Sequence, residues 1–115
     1  MRRVSITIAT AISLAGHRNS AAAQQADGGA VYRQECKSCH GLNGIPPARA
    51  REQYKKIKAV GDGGFVAQLS ADSIVAILKK GIDKDMKSFT GKLSDGEMRA
   101  VTLYIKELAE KKKLP

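Results

Sequence analysis

Cys36-Lys37-Ser38-Cys39-His40 is the stretch that decides how this chain is read. The chain has two cysteines, and both are here. A disulfide between them would close so small a loop that it would add little stability by the chain-entropy account. A thioredoxin-like thiol pair belongs after a strand in a βαβ setting, and no β-rich stretch precedes Cys36. Structural zinc takes four protein ligands, whereas Cys36, Cys39 and His40 supply three. The remaining reading of C-x-x-C-H is covalent attachment of haem c. The Cys36 and Cys39 thiols add to the haem vinyl groups, and the adjacent His40 becomes the proximal iron ligand.

The sequence N-terminal to this motif agrees with it. Met1-Arg2-Arg3 is a short basic start, Val4 to Gly16 carries no charge, and Ser20-Ala21-Ala22-Ala23 offers small residues before a cleavage point after Ala23. That order is the pattern of a secretory signal peptide, expected over residues 1–23. Export to the periplasm is also the setting in which haem c attachment is expected. Cleavage removes Arg2, Arg3 and Arg18, leaving 17 basic against 11 acidic residues and a net charge of +6. It removes His17 as well, so His40 would be the only histidine of the mature chain. Residues 24–115 are enough for one domain. No run approaches 18 apolar residues, so no stable membrane span is expected after cleavage. With two Phe, three Tyr and no Trp, the chain is short of large side chains for a core, and a bound macrocycle would fill that deficit.

Between these landmarks the pattern is helical throughout, with no period-2 alternation. A first helix is expected from Gly28 to Ser38, capped by Asp27, with Tyr32, Cys36 and Cys39 on one face. Gly41, Gly44, Pro46 and Pro47 break it. A basic helix is expected from Arg49 to Val60, with Tyr54, Ile57 and Val60 as its apolar side. Gly61-Asp62-Gly63-Gly64 is a loop. Ser70 caps a helix through Lys80 that Gly81 stops, and Ile74, Val75, Ile77 and Leu78 form its inward stripe. A loop runs from Gly81 to Leu93. Ser94 and Glu97 form a capping box for a last helix whose core face carries Met98, Val101, Ile105 and Leu108.

The segment Gly28 to Gly41 resembles the opening of small bacterial class I cytochromes c. Those carry a Gly eight residues and an aromatic four residues before the first Cys, as Gly28 and Tyr32 do here. Met86-Lys87-Ser88-Phe89-Thr90-Gly91-Lys92-Leu93 is similar to the family's methionine-ligand loop, with Lys87 where many relatives carry Pro. Val101-Thr102-Leu103-Tyr104-Ile105 matches its C-terminal helix. The resemblance spans Gly28 to about Leu108. It implies an all-α cytochrome c fold, about four helices around one covalently attached haem, with the first and last helices crossing near Gly28 and Tyr104. It also implies that a carbonyl from Pro46 or Pro47 takes the second ring N–H of His40; both prolines stay open for that role.

The distal ligand can be argued by elimination, with lysine as a rival that must first lose its ammonium proton. Without His17 there is no second histidine. Met98 sits at a core phase of a well-capped helix and reads as core filler. Met86 lies in a loop between Asp85 and Lys87, where a thioether has no packing reason to be, so it is the expected distal iron ligand. With both axial positions filled, no substrate site remains, and the expected function is one-electron transfer rather than catalysis. Lys37, Lys84, Lys87 and Lys92 would steer such a carrier toward acidic-surfaced redox partners, a donor dehydrogenase or reductase and an acceptor oxidase or reductase. Nucleic acid is not an expected partner. Two alternatives are an electron-transfer subunit of a larger dehydrogenase or oxidase complex, and a sensor or ligand-binding protein with an open distal site.

Overall fold

The protein is described here by a computed structural model covering residues 25–111; the expected signal segment 1–23, with His17, lies outside the described residues. The described chain holds α1 (Gly28–Glu35), α2 (Lys37–His40), α3 (Ala48–Gln53), α4 (Phe65–Gln68), α5 (Ala71–Lys80) and α6 (Asp95–Lys111). Pairing outside the helices is confined to two isolated bridges, Ile82 with Met86 and Thr90 with Leu93.

The expected caps are in place. The Asp27 carboxylate accepts from Ala30 N at 3.1 Å, and Ser70 Oγ accepts from Ser73 N at 3.1 Å. At the start of α6 the box closes in both directions, with Ser94 N donating to Glu97 Oε2 at 2.8 Å and Glu97 N donating to Ser94 Oγ at 3.1 Å. Ser94→Ala is therefore expected to cost about 1 kcal/mol, measured as a drop in the chemical denaturation midpoint with an unchanged slope.

The helix count differs from about four, for identifiable reasons. The first helix breaks at Cys36, whose φ of −118° and ψ of −35° widen the turn. Cys36 N still bonds Tyr32 O at 2.9 Å, and Cys36 O takes up His40 N at 2.9 Å, so Cys36 is bonded to the helix on either side of the break. The basic helix stops at Gln53 and does not reach Val60. Continuing it would stack Arg51 on Lys55 and Lys55 on Lys58, like charges at helical spacing. The chain instead runs irregularly, and the N–H groups of Val60 and Gly61 both donate to Gly44 O, at 2.8 and 3.0 Å. The one-turn α4 was not foreseen. A single turn cannot hold itself, and here Lys106 from α6 pins it by donating to Ala67 O at 3.1 Å and Leu69 O at 2.8 Å.

The core forms where α1 crosses α6, with α5 and α4 also packed on α6. Tyr32 and Val101 are fully buried at that crossing, beside Met98 and Ile105. Gly28 sets the approach: a Cβ there would collide with the Ala100 carbonyl and lie 2.5 Å from its carbon. Gly29 comes next to Tyr104, where a Cβ would meet the ring at 3.2 Å. The Tyr32 and Tyr104 rings pack at 5.3 Å between centroids, tilted by 48°. Among the described residues, no helix is long and apolar enough to cross a membrane.

Candidate functional site

The bend at Cys36 aims two consecutive pieces of chain at one space. A cavity of about 300 Å³ opens beside it, lined by Cys36, Cys39 and His40 from the α1–α2 segment. Its walls are mostly apolar. Ile57 and Val60 come from the irregular stretch after α3, Val66 and Leu69 from in and after α4, Ile74, Ile77 and Leu78 from α5, and Ile105 from α6. Met86 and Phe89 enter from the loop after α5. Met98 does not line the cavity; it is 2% exposed and packed in the core.

Local sequence explains how Met86 arrives. Gly81 ends α5 with φ +75°, a conformation L side chains rarely take. A Cβ at Gly81 would also lie 2.6 Å from Met86 O and 2.7 Å from Ser88 N. Free of that Cβ, the chain folds back at once. Ile82 N donates to Met86 O at 2.7 Å, and Met86 N to Ile82 O at 3.1 Å. Phe89 N then donates to Leu78 O at 2.9 Å, and Thr90 Oγ1 to Lys79 O at 3.1 Å, fastening the loop to the end of α5.

The opposite wall is as closely tied. Tyr32 donates its hydroxyl to Gly41 O at 2.7 Å, fixing the chain after the histidine. His40 Nδ1 lies 3.3 Å from the carbonyl oxygen of Lys58. Neither proline carbonyl serves it: Pro46 O accepts from the Arg51 guanidinium and Pro47 O from Arg51 N at 3.1 Å. The pairing of Val60 and Gly61 with Gly44 is what brings Lys58 alongside His40. That pairing depends on irregular backbone, and the sequence carried no signal for it.

Electrostatics follow from burial. The His40 imidazole is held below its usual pKa by desolvation, which the Lys58 carbonyl partly offsets. The Cys36 thiol is pushed up to about 11, first by burial, then by the negative charges of Glu35 and Cys39, with Lys92 pulling the other way. Cys36 and Cys39 are not joined to each other in a disulfide. Lys56, Lys58 and Lys87 also line the cavity, all three exposed. Of these only Lys87 was singled out from sequence. Lys92 is not a free surface cation, because it pairs with Glu35 at 2.6 Å.

Two thiols, an imidazole and a thioether facing one apolar space form an unusual donor set. They suit a flat, largely apolar macrocycle that is bonded through the thiols and carries a metal favouring nitrogen and soft sulfur. Comparison with known proteins agrees. The family model described as cytochrome c oxidase, cbb3-type, subunit III, matches residues 23–105. The chain is 34% identical over 92 residues to a cytochrome c6 of Synechocystis, covering 78% of this chain and 70% of that protein. It is 32% identical over 89 residues to a cytochrome c6 of Leptolyngbya boryana, covering 77% and 98%. The solved structure of the KustC0563 c-type cytochrome superposes with a TM-score of 0.64 at 26% identity, covering 72% of this chain and 98% of that one.

Proposed function

The chain belongs to the cytochrome c family, and from that membership we propose that it is an exported one-electron carrier in which Cys36 and Cys39 hold the haem, with His40 and Met86 as axial ligands of its iron. As a small monohaem cytochrome c it carries one covalently bound haem c. When bound, that group supplies a ferric/ferrous couple. The observation that carries the ligand assignment is the cavity itself, which collects Cys36, Cys39, His40 and Met86 and leaves Met98 outside.

The chain's own residues do the rest. The Lys58 carbonyl accepts the Nδ1–H of His40, which fixes the tautomer and leaves the other ring nitrogen for the iron. The Gly81 turn and the Ile82–Met86 bridge hold the thioether on the far side. Leu69, Ile74, Leu78 and Ile105 exclude water, which disfavours the more highly charged oxidised state. With His40 and Met86 both holding the iron, no open position would remain for a substrate, which is the reading of an electron carrier rather than an enzyme. Lys56, Lys58 and Lys87 at the cavity favour acidic partner surfaces. Export to the periplasm is supported by the signal pattern of residues 1–23. A second reading, an electron-transfer subunit of a larger complex, is favoured by the family description, which names an oxidase subunit.

Acidified organic solvent tests the attachment. Haem should stay with the wild-type polypeptide and be extracted from Cys36→Ser/Cys39→Ser. Free extraction from the wild type would contradict the assignment.

A further inference from the structure

Glu35 is the last residue of α1, immediately before the first cysteine of the motif. Lys92 is near the end of the loop that carries Met86. Lys92 Nζ lies 2.6 Å from Glu35 Oε2, with the Glu35 side chain only 13% exposed and the Lys92 side chain 61% exposed. The other two ion pairs of the described residues are different in kind. Lys79–Asp95 and Arg99–Asp72 lie at 3.2 and 3.4 Å, and their carboxylates are 83% and 86% exposed, the setting in which such pairs contribute little.

Glu35 lines the cavity. Lys92 Nζ also lies 6.0 Å from the ring centroid of Phe89, another cavity wall. The backbone turn that presents Lys92 is closed by its own N–H and that of Leu93, both donating to Phe89 O at 3.0 and 2.9 Å.

We propose that the Glu35–Lys92 ion pair is a positioning element of the haem site, strapping the Met86 loop to the attachment helix while neutralising a carboxylate that faces the cavity. The proposal rests on the haem reading of that cavity. The two roles are separable. As a strap, the pair joins the segment before the motif to the segment after Met86, so breaking it from either side loosens the loop. As a charge pair, it cancels a field at the cavity wall. Glu35 is poorly solvated, so its charge is weakly screened there. Losing the lysine leaves a negative charge that favours the ferric state, and losing the carboxylate leaves a positive charge that favours the ferrous state.

The test uses holoprotein of the wild type, K92Q, E35Q, E35Q/K92Q, K92R and K79Q. Reduction potential and amide exchange at Lys92 and Leu93 are read on each. The potential should fall in K92Q, rise in E35Q and return toward wild type in the double variant. It should move less in K79Q, which removes the same charge from an exposed pair outside the cavity lining. Exchange should be about fivefold faster in both single variants and the double, the factor that about 1 kcal/mol gives at about 1.4 kcal/mol per tenfold. K92R should match wild type in both readouts. Shifts of one sign in K92Q and E35Q, shifts no larger than that of K79Q, or unchanged exchange would each overturn the proposal. A wild type that binds no haem would sink the haem reading instead, and the exchange measurement would still decide the strap.

Discussion

Met86→Ala should lower the reduction potential, open the iron to carbon monoxide and leave the haem attached. Axial ligands set haem potentials over roughly 0.8 V, and replacing a soft thioether removes the ligand that favours the ferrous state. The shift should therefore be a readily resolved part of that span. Attachment should survive because Cys36 and Cys39 sit on the α1–α2 segment, apart from the loop that holds Met86. The comparison variant is Met98→Leu. Met98 is 2% exposed in the α6 core and outside the cavity lining. That volume-conserving swap should cost under about 1.5 kcal/mol and leave potential and carbon monoxide binding as in the wild type. Redox titration and carbon monoxide difference spectra check both. A potential that moves in Met98→Leu and not in Met86→Ala would reverse the assignment.

Gly28→Ala should produce the largest loss of stability among single small substitutions. The added methyl would meet the Ala100 carbonyl on a neighbouring helix backbone, which cannot swing aside as a side chain can. Relief requires α1 and α6 to separate, and that would unpack Tyr32 and Val101, both at 0% exposure. Overpacking of this kind costs about 3 kcal/mol or more, or roughly 12–24 °C in melting temperature for a domain of this size. Gly96→Ala is the control. A Cβ there meets only Ser94 Oγ at 3.9 Å, and in the first turn of α6 it should be neutral or stabilising by up to about 1 kcal/mol. In thermal unfolding Gly28→Ala should melt well below the wild type and Gly96→Ala at or above it. Equal melting temperatures would refute the close crossing.

What could be read from the sequence was what local chemistry specifies. The caps at Asp27, Ser70 and Ser94 are side chains bonding their own helix, so their residue types announce them. The apolar stripes of α5 and α6 follow from period alone. Met86 stood out because a thioether between Asp85 and Lys87 has no local reason to be there, and the cavity supplies a reason. The features that escaped are those fixed by distant backbone. The partner of His40 is a carbonyl, which every residue has, and Lys58 is chosen only because Gly44 draws residues 60 and 61 toward the motif. Helix α3 looked longer because its apolar positions kept helical spacing past Gln53, while the competing bonds to Gly44 O have no signature in composition. Helix α4 depends on Lys106 reaching across from α6. Nothing in the sequence pairs Lys92 with Glu35, so by sequence alone it groups with the exposed docking lysines.

If His40 and Met86 are the ligands of the haem iron, as proposed, near-infrared magnetic circular dichroism of the oxidised wild-type protein will show it. The energy of the charge-transfer band identifies the axial pair. The expected result is the band of a histidine–methionine haem, lost in Met86→Ala and kept in Met98→Leu. A wild-type band at the energy of bis-histidine or histidine–lysine ligation, or a high-spin spectrum with no sixth ligand, would contradict it.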